Sequence, residues 1–160
     1  MYKSSPSGFF VSDWISQHFM SIPNKVIFID LISKQKWLDN QINTHVSKLT
    51  GYFMILGIKK NDQIDFLVFN STDILEIIFV CWRFGIIELT LNFRLTAIRL
   101  SYIINNPIPK AIFLDSALDL KWKDTRQLTQ VEHVIKIDGS LYLGNLNMKG
   151  IEKIPMSKKH

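Results

Sequence analysis

The sequence predicts an α/β fold: a doubly wound, mainly parallel sheet with helices on both faces. Three observations predict it. Short strand-like runs and helix-period segments alternate from residue 26 to residue 115, the pattern of parallel strands joined by helical crossovers. The central run from Ile64 to Phe69 is almost continuously apolar, as in strands covered on both faces. Each long apolar helix segment is punctuated at its end by Gly57, Gly85 or Pro107, residues that stop helices for stereochemical reasons.

Taken in order, Asp13 to Met20 has the spacing of a short amphipathic helix with Trp14, Ile15 and Phe19 on one side, ended at Ile22-Pro23-Asn24. Val26 to Asp30, VIFID, reads as a strand. From Asn40, the positions Ile42, Val46, Leu49, Phe53 and Leu56 recur by fours and threes on one helical face. Asp39 or Asn40 is expected to cap that helix, and Gly57 fits the left-handed position after it. Lys59 and Lys60 suit a helix C-terminus, Asn61-Asp62 is turn chemistry, and the strand Ile64 to Phe69 follows.

Asn70 to Asp73 offers caps for a second helix, Ile74 to Phe84, with Asp73 and Glu76 at capping-box spacing. That helix is apolar nearly all round and is expected to be buried. Gly85 ends it and a strand, Ile86 to Leu91, follows. Thr96 is the expected cap of a third helix whose periodic positions are Ile98, Tyr102 and Ile103, halting before Pro107. Ala111 to Asp115 is a further strand. Beyond it lie a weaker helix from Leu118 to Leu128, a strand His133 to Ile137, and an Asp138-Gly139-Ser140 turn.

The 160 residues are 47% hydrophobic and 12% aromatic, enough for one core and no more. The formal charge of +5 comes from dispersed Lys and Arg, with the one dense basic run at Lys158, Lys159 and His160. This argues against a nucleic-acid groove. A single cysteine, Cys81, forms no internal disulfide and suits a reducing compartment. The segment Ile74 to Leu91 is interrupted by Glu76, Arg83, Gly85 and Glu88, so no membrane span is expected. The N-terminus has no continuous apolar run of the signal-peptide kind, and an intracellular location, cytoplasmic or at a cytoplasmic-facing membrane, is expected.

Glycines at 8, 51, 57, 85, 139, 144 and 150 assemble neither a G-x-G-x-x-G nor a P-loop phosphate cradle. His18, His45, His133 and His160 lack metal-ligand spacing and read as surface or structural residues. Cys81, beside Trp82 in an apolar helix, reads as a packed thiol. Asp30 and Asp115 end strands, where the ligand crevice of a doubly wound sheet opens, but aspartate there more often serves a turn or cap. Asn70-Ser71-Thr72 matches a glycosylation sequon and reads better as capping. No serine stands in a nucleophile elbow.

The stretch LGIKKNDQIDFLVFNSTDILEIIFVCWRFGIIELTLNFRL resembles the N-terminal part of the AMP-forming acyl-CoA synthetases, the adenylate-forming ligases. Their pattern there reads L-G-[VI]-K-x-G-D-x-V, an apolar strand, N-[SR], a helix, then G-[VA] and L-N. Leu56, Gly57, Ile58, Lys59, Asp62, Asn70, Gly85, Leu91 and Asn92 fall on matching positions. Pro23-Asn24-Lys25-Val26 is similar to the family's strand entry, and Trp37 to Leu56 to its following helix. Leu91-Asn92-Phe93-Arg94-Leu95, with Lys110-Ala111-Ile112-Phe113 beyond, resembles the fatty acid transport proteins and very-long-chain acyl-CoA synthetases. Asn61 replaces a family glycine, Phe93 an asparagine, and Leu38-Asp39 a threonine and an aromatic.

The resemblance implies a partial N-terminal subdomain over residues 1–138 and a weakly structured tail over 139–160. It also implies ATP-dependent activation of a fatty acid to an acyl-adenylate and transfer to coenzyme A, with ATP, Mg and coenzyme A as cofactors of full-length members. The family's phosphate loop, ribose aspartate and C-terminal lysine match no position here. No catalytic, cofactor-binding or metal residue is therefore carried over, and the chain is expected to be a fragment, inactive alone. The alternative is a non-catalytic α/β interaction or regulatory module. Peripheral membrane association through Trp14 and Phe19, and self-association through an open sheet edge, complete the expectations.

Overall fold

The computed structural model describes residues 20–31, 34–137 and 151–153. A hairpin comes first. Strand β1 (Val26–Ile29) pairs antiparallel with β2 (Lys36–Leu38), aligning Phe28 with Trp37. The two form a sheet of their own, which corrects the expectation that VIFID begins the parallel alternation. Parallel neighbours need a long crossover. Here the chain reverses at once, with Lys34 at φ 60° and the Asp30 N–H donating to the Gln35 carbonyl at 2.9 Å. The helix read over Asp13 to Met20 lies outside the described residues apart from Met20.

Helix α1 (Asp39–Ile55) buries Ile42, Val46, Leu49 and Phe53, the stripe its periodicity marks. Its cap is Leu38, in place of the expected Asp39 or Asn40. The reason is that the preceding backbone already serves the first turn: the N–H groups of Asp39 and Asn40 donate to the carbonyls of Lys25 and Pro23, both at 3.0 Å. Gln41 Oε1 accepts from the Leu38 N–H at 3.0 Å. At the other end Gly57 has φ 71°. Its N–H donates to Met54 O, and that of Ile58 to Phe53 O, both at 3.0 Å, a Schellman closure that only a residue tolerant of the left-handed region completes cheaply.

The following turn is locked from both sides. Asp62 Oδ2 accepts from the Lys59 N–H at 2.7 Å, and Asn61, at φ 70°, donates its N–H to the Gly85 carbonyl at 2.9 Å. Strand β3 (Gln63–Leu67) leads to α2 (Thr72–Phe84), Gly85 repeats the left-handed closure, and β4 (Ile87–Thr90) follows. The anticipated capping box of Asp73 and Glu76 does not form. The cap position belongs to Ser71, two residues earlier, and Glu76 turns inward to another partner.

Helix α3 (Ala97–Ile104) is capped by Thr96, whose Oγ1 accepts from the Arg99 N–H at 3.4 Å. Its buried face is Leu100, Ser101 and Ile104, whereas of the periodic set Ile98 and Tyr102 are exposed and Ile103 is half-buried against the core. The helix is apolar on two sides, and the sheet took the other one. Strand β5 (Ala111–Asp115), a 3-10 turn Ser116–Leu118, α4 (Asp119–Arg126) and β6 (His133–Ile137) complete the alternation. Strand β7 (Ile151–Lys153) joins β6 antiparallel. The Asp138-Gly139-Ser140 turn, and the remainder of residues 139–160, lie outside the described residues.

The five-stranded sheet has the order β4-β3-β5-β6-β7, parallel from β4 to β6. Phe53, Phe66, Val80, Cys81, Phe113 and Ile135 pack on the face covered by α1 and α2. Leu67, Leu100, Ile104, Ile112, Leu114 and Trp122 pack on the face covered by α3 and α4. Both faces of the parallel strands are thus closed by helices. Phe113 stands at the centre, its ring 5.7 Å from those of Phe53 and Phe66. Phe113→Ala is expected to lower unfolding stability by about 3–5 kcal/mol, read from urea denaturation; a loss below about 1 kcal/mol would contradict this packing.

Candidate functional site

Sheet order locates the one crevice that the topology builds. From β3 the chain leaves to α2 on one face of the sheet; from β5 it leaves to the 3-10 turn and α4 on the other. Such a divergence opens a cleft at the carboxyl ends of the two strands. The segments that leave those ends are Val68 to Ser71 after β3 and Ser116 onward after β5. Asp115 Oδ1 accepts from the Ala117 N–H at 2.9 Å, and Ser116 Oγ donates to the Ile137 carbonyl at 3.2 Å. Asp115 therefore caps the 3-10 turn. Asp30 lies in the separate hairpin, so of the two strand-end aspartates only Asp115 ends a strand of the parallel sheet. Ser71 occupies the cap position of α2, but its hydroxyl makes no capping bond.

Beside the cleft, Phe69 after β3 meets Phe93 after β4 edge-to-face, ring centroids 4.7 Å apart. The Arg94 guanidinium lies 5.3 Å over the Phe93 ring, and Asn92 Oδ1 fixes the turn by accepting from the Arg94 N–H at 3.0 Å. This edge joins an aromatic pair to a cation.

The buried titratable groups lie elsewhere. His45 on α1 and Glu76 on α2 meet through Nδ1 and Oε1 at 2.9 Å. Burial pushes the Glu76 carboxyl above its ordinary range, partly offset by the His45 bond and charge. The second Glu76 oxygen is buried without a partner. Trp37 presents its ring edge-on to His45, centroids 5.6 Å apart. On β3, Asp65 accepts from Gln63 Nε2 at 2.7 Å, and burial pushes its pKa up to about 6. Burial, and secondarily Glu88, raises the Cys81 thiol, so no thiolate forms there. His133 reaches Glu132 Oε1 at 3.2 Å. His18 and His160 lie outside the described residues.

Neither Glu76 nor Asp65 could be picked from the sequence. His45 and Glu76 are 31 positions apart, and the one available signal was the unusual carboxylate inside each apolar run. Nothing here fits ATP or Mg: among the described residues no three His, Cys, Asp or Glu side chains gather to hold a metal. The described glycines, Gly51, Gly57 and Gly85, lie in a helix or at helix ends, not in a phosphate cradle. Accordingly no chemical step is assigned to these residues.

A family model described as AMP-binding enzyme matches residues 17–155. A curated relative, 3-methylmercaptopropionyl-CoA ligase of Ruegeria lacuscaerulensis, is 27% identical over 125 residues, 78% of this chain and 22% of its own length. Among solved structures, a fatty acyl CoA synthetase of Mycobacterium tuberculosis superposes with a TM-score of 0.74 at 18% identity, covering 81% of this chain and 26% of that one. A benzoate CoA ligase from Burkholderia xenovorans gives 0.73 at 12% identity, covering 96% and 31%. The chain thus spans about a fifth to a third of the length of these proteins.

Two stability measurements test the buried groups. The folded Asp65 pKa of about 6 lies above the ordinary 3.8, so its contribution is full below about pH 4 and lost as pH rises through about 6. Asp65→Asn is expected to leave stability at pH 4 unchanged and raise it at pH 8 by up to about 3 kcal/mol; an unaltered pH slope in urea titrations refutes this. His45→Leu strands the Glu76 carboxylate. It should cost about 3 kcal/mol at pH 8 and less at pH 4, where Glu76 takes up a proton; an equal loss at both pH values would assign His45 a packing role alone.

Proposed function

The chain belongs to the AMP-binding enzyme family, and from that premise we propose that it supplies the N-terminal sheet of a fatty acyl-CoA synthetase. In the proposed reaction a fatty acid carboxylate attacks the α-phosphorus of ATP, giving acyl-adenylate and pyrophosphate. The coenzyme A thiol then displaces AMP to form the thioester. The residues described above take no chemical part; they form a rigid platform whose β3–β5 cleft and connecting turns set the geometry. We place the protein inside the cell, in the cytoplasm or at a cytoplasmic-facing membrane; the intracellular part of this reading is supported by its single, unpaired cysteine.

The observation that carries the proposal is where the family-like residues fall. Gly57, Asp62, Asn70, Gly85 and Asn92 all sit at helix-to-strand or strand-to-helix connections, in the order of the family pattern. A fatty acid is favoured as substrate by the Leu91 to Leu95 and Lys110 to Phe113 resemblance, not by the fold. A stand-alone interaction module is not favoured, because the family match runs through nearly the whole chain.

The test is acid-dependent pyrophosphate release. The 160-residue chain is expected to release none from ATP with palmitate, octanoate or benzoate. The polypeptide read through the genomic sequence downstream of His160 is expected to contain a Thr/Ser/Gly-rich loop ending in Pro-Lys and to prefer palmitate over benzoate at least about tenfold in kcat/KM, a difference within reach of hydrophobic-pocket discrimination. A preference for benzoate refutes the substrate. A downstream sequence without such a loop refutes the synthetase.

A further inference from the structure

The hairpin β1–β2 is a sheet of its own and shares no strand pairing with the five-stranded sheet. A two-stranded hairpin by itself is marginal in water, so its position depends on what ties it to the helices. At its base the Lys25 and Pro23 carbonyls accept from the N–H groups of Asp39 and Asn40 at the start of α1. Over α1 the tie is Trp37, 6% exposed, whose ring contacts Phe28 within the hairpin and His45 on the helix.

Behind His45 lies a carboxyl that burial disfavours as an anion. The Glu76 side chain is 2% exposed, with one oxygen on His45 Nδ1 and the other buried without a partner. Burial raises this carboxyl, and the His45 bond and charge only partly offset it. The elements around the pair carry further charges: Asp39 and Lys48 on α1, Asp73 and Arg83 on α2, Lys25, Asp30 and Lys36 in or beside the hairpin, and Glu88 on β4. None of these adds to the shift, whose causes are burial and His45. Arg83 donates to Asn43 and Ser47, and Glu88 acts on Cys81.

We propose that the hairpin is a pH-sensitive cover, closed over the His45–Glu76 pair while Glu76 holds a proton and released as that carboxyl ionises. The two states differ in hydration. Closed, Trp37 shields His45 and through it Glu76; open, water reaches the carboxylate at the α1–α2 seam while the five-stranded sheet stays intact. A carboxyl raised by burial contributes stability that is full below its ordinary 4.5 and is lost as pH rises through its folded value. Opening therefore becomes easier with rising pH. The opening is local because few contacts join the hairpin to the rest of the fold. It stands independently of the acyl-CoA synthetase reading.

Amide hydrogen exchange of the 160-residue chain, resolved by NMR and corrected for the intrinsic chemical rate, tests it. The reporters are the N–H groups of Asp39 and Asn40, whose acceptors lie at the hairpin base, and that of Asp30, whose acceptor is the Gln35 carbonyl. Their protection is expected to fall at least about threefold from about pH 4 to about pH 7, while the amides of Phe66 and Phe113 stay at least about tenfold better protected at both. Glu76→Gln keeps a partner for His45 and removes the ionisation, so in that variant the hairpin should be equally protected at both pH values. Asp65→Asn removes the other raised carboxyl and should leave the hairpin's response in place. Hairpin protection that pH does not alter in the wild-type chain, a response that persists in Glu76→Gln or vanishes in Asp65→Asn, or hairpin amides that exchange no faster than those of Phe66 and Phe113 overturns the proposal.

Discussion

Phe113 sits between Phe53 of α1 and Phe66 of β3, and the rest of the sheet depends on that contact. Parallel strands joined by helices have both faces buried, so the β3–β5 ladder exists only while helices hold each side. On one side the aromatic cluster fastens α1 to the two central strands. On the other, Leu100, Ile104 and Trp122 fasten α3 and α4 to Ile112 and Leu114. Alternate residues of β5 face the two layers, so a shift of one position in its register would exchange Phe113 for Ile112 and undo both.

The two layers are held differently at their rims. Along the α1–α2 seam, Arg83 donates to Asn43 Oδ1 at 2.8 Å and His45 meets Glu76. Both bonds join side chains far apart in sequence, and they define how the helices cross. Through Trp37 the seam also reaches the hairpin, because Trp37 contacts His45 and Phe28. The α3–α4 layer has a different rim: Lys121 holds the Leu95 carbonyl, and arginines and apolar side chains face outward. That layer has an ion pair too, Lys136 Nζ to Asp119 Oδ2 at 2.8 Å, but it leaves Ile98 and Tyr102 exposed.

Much of this was legible in the sequence, for local reasons. Gly57 and Gly85 mark two left-handed closures because few other residues enter that region cheaply, and the stripe from Ile42 to Phe53 points inward as its period requires. What was not legible depended on partners distant in the chain. Strand β2 is three residues long and is a strand only because β1 lies beside it. The cap of α1 was misplaced because the Pro23 and Lys25 carbonyls, supplied by tertiary structure, replaced a side chain. In α3 two apolar faces competed, and periodicity cannot tell which of two such faces meets the sheet. At the ends of β3 and β5, Asp115 takes the cap role that strand-end aspartates commonly take, Asp30 falls in the hairpin instead, and the Phe69–Phe93 contact joins two connections that look unrelated in sequence.

The residues that mark the family therefore carry backbone geometry. Gly57 and Gly85 close helices, Asp62 accepts from Lys59, Asn61 donates to Gly85, and Asn92 fixes the turn at Arg94. Each constrains a φ angle or occupies a backbone donor. Such positions serve the fold of the described residues, because a changed φ or a freed backbone donor at any of them would reopen a connection between helix and strand. By contrast Phe69, Phe93 and Arg94, after β3 and β4, and Ile98 and Tyr102 on α3 lie outside the closed core that the connections hold in place.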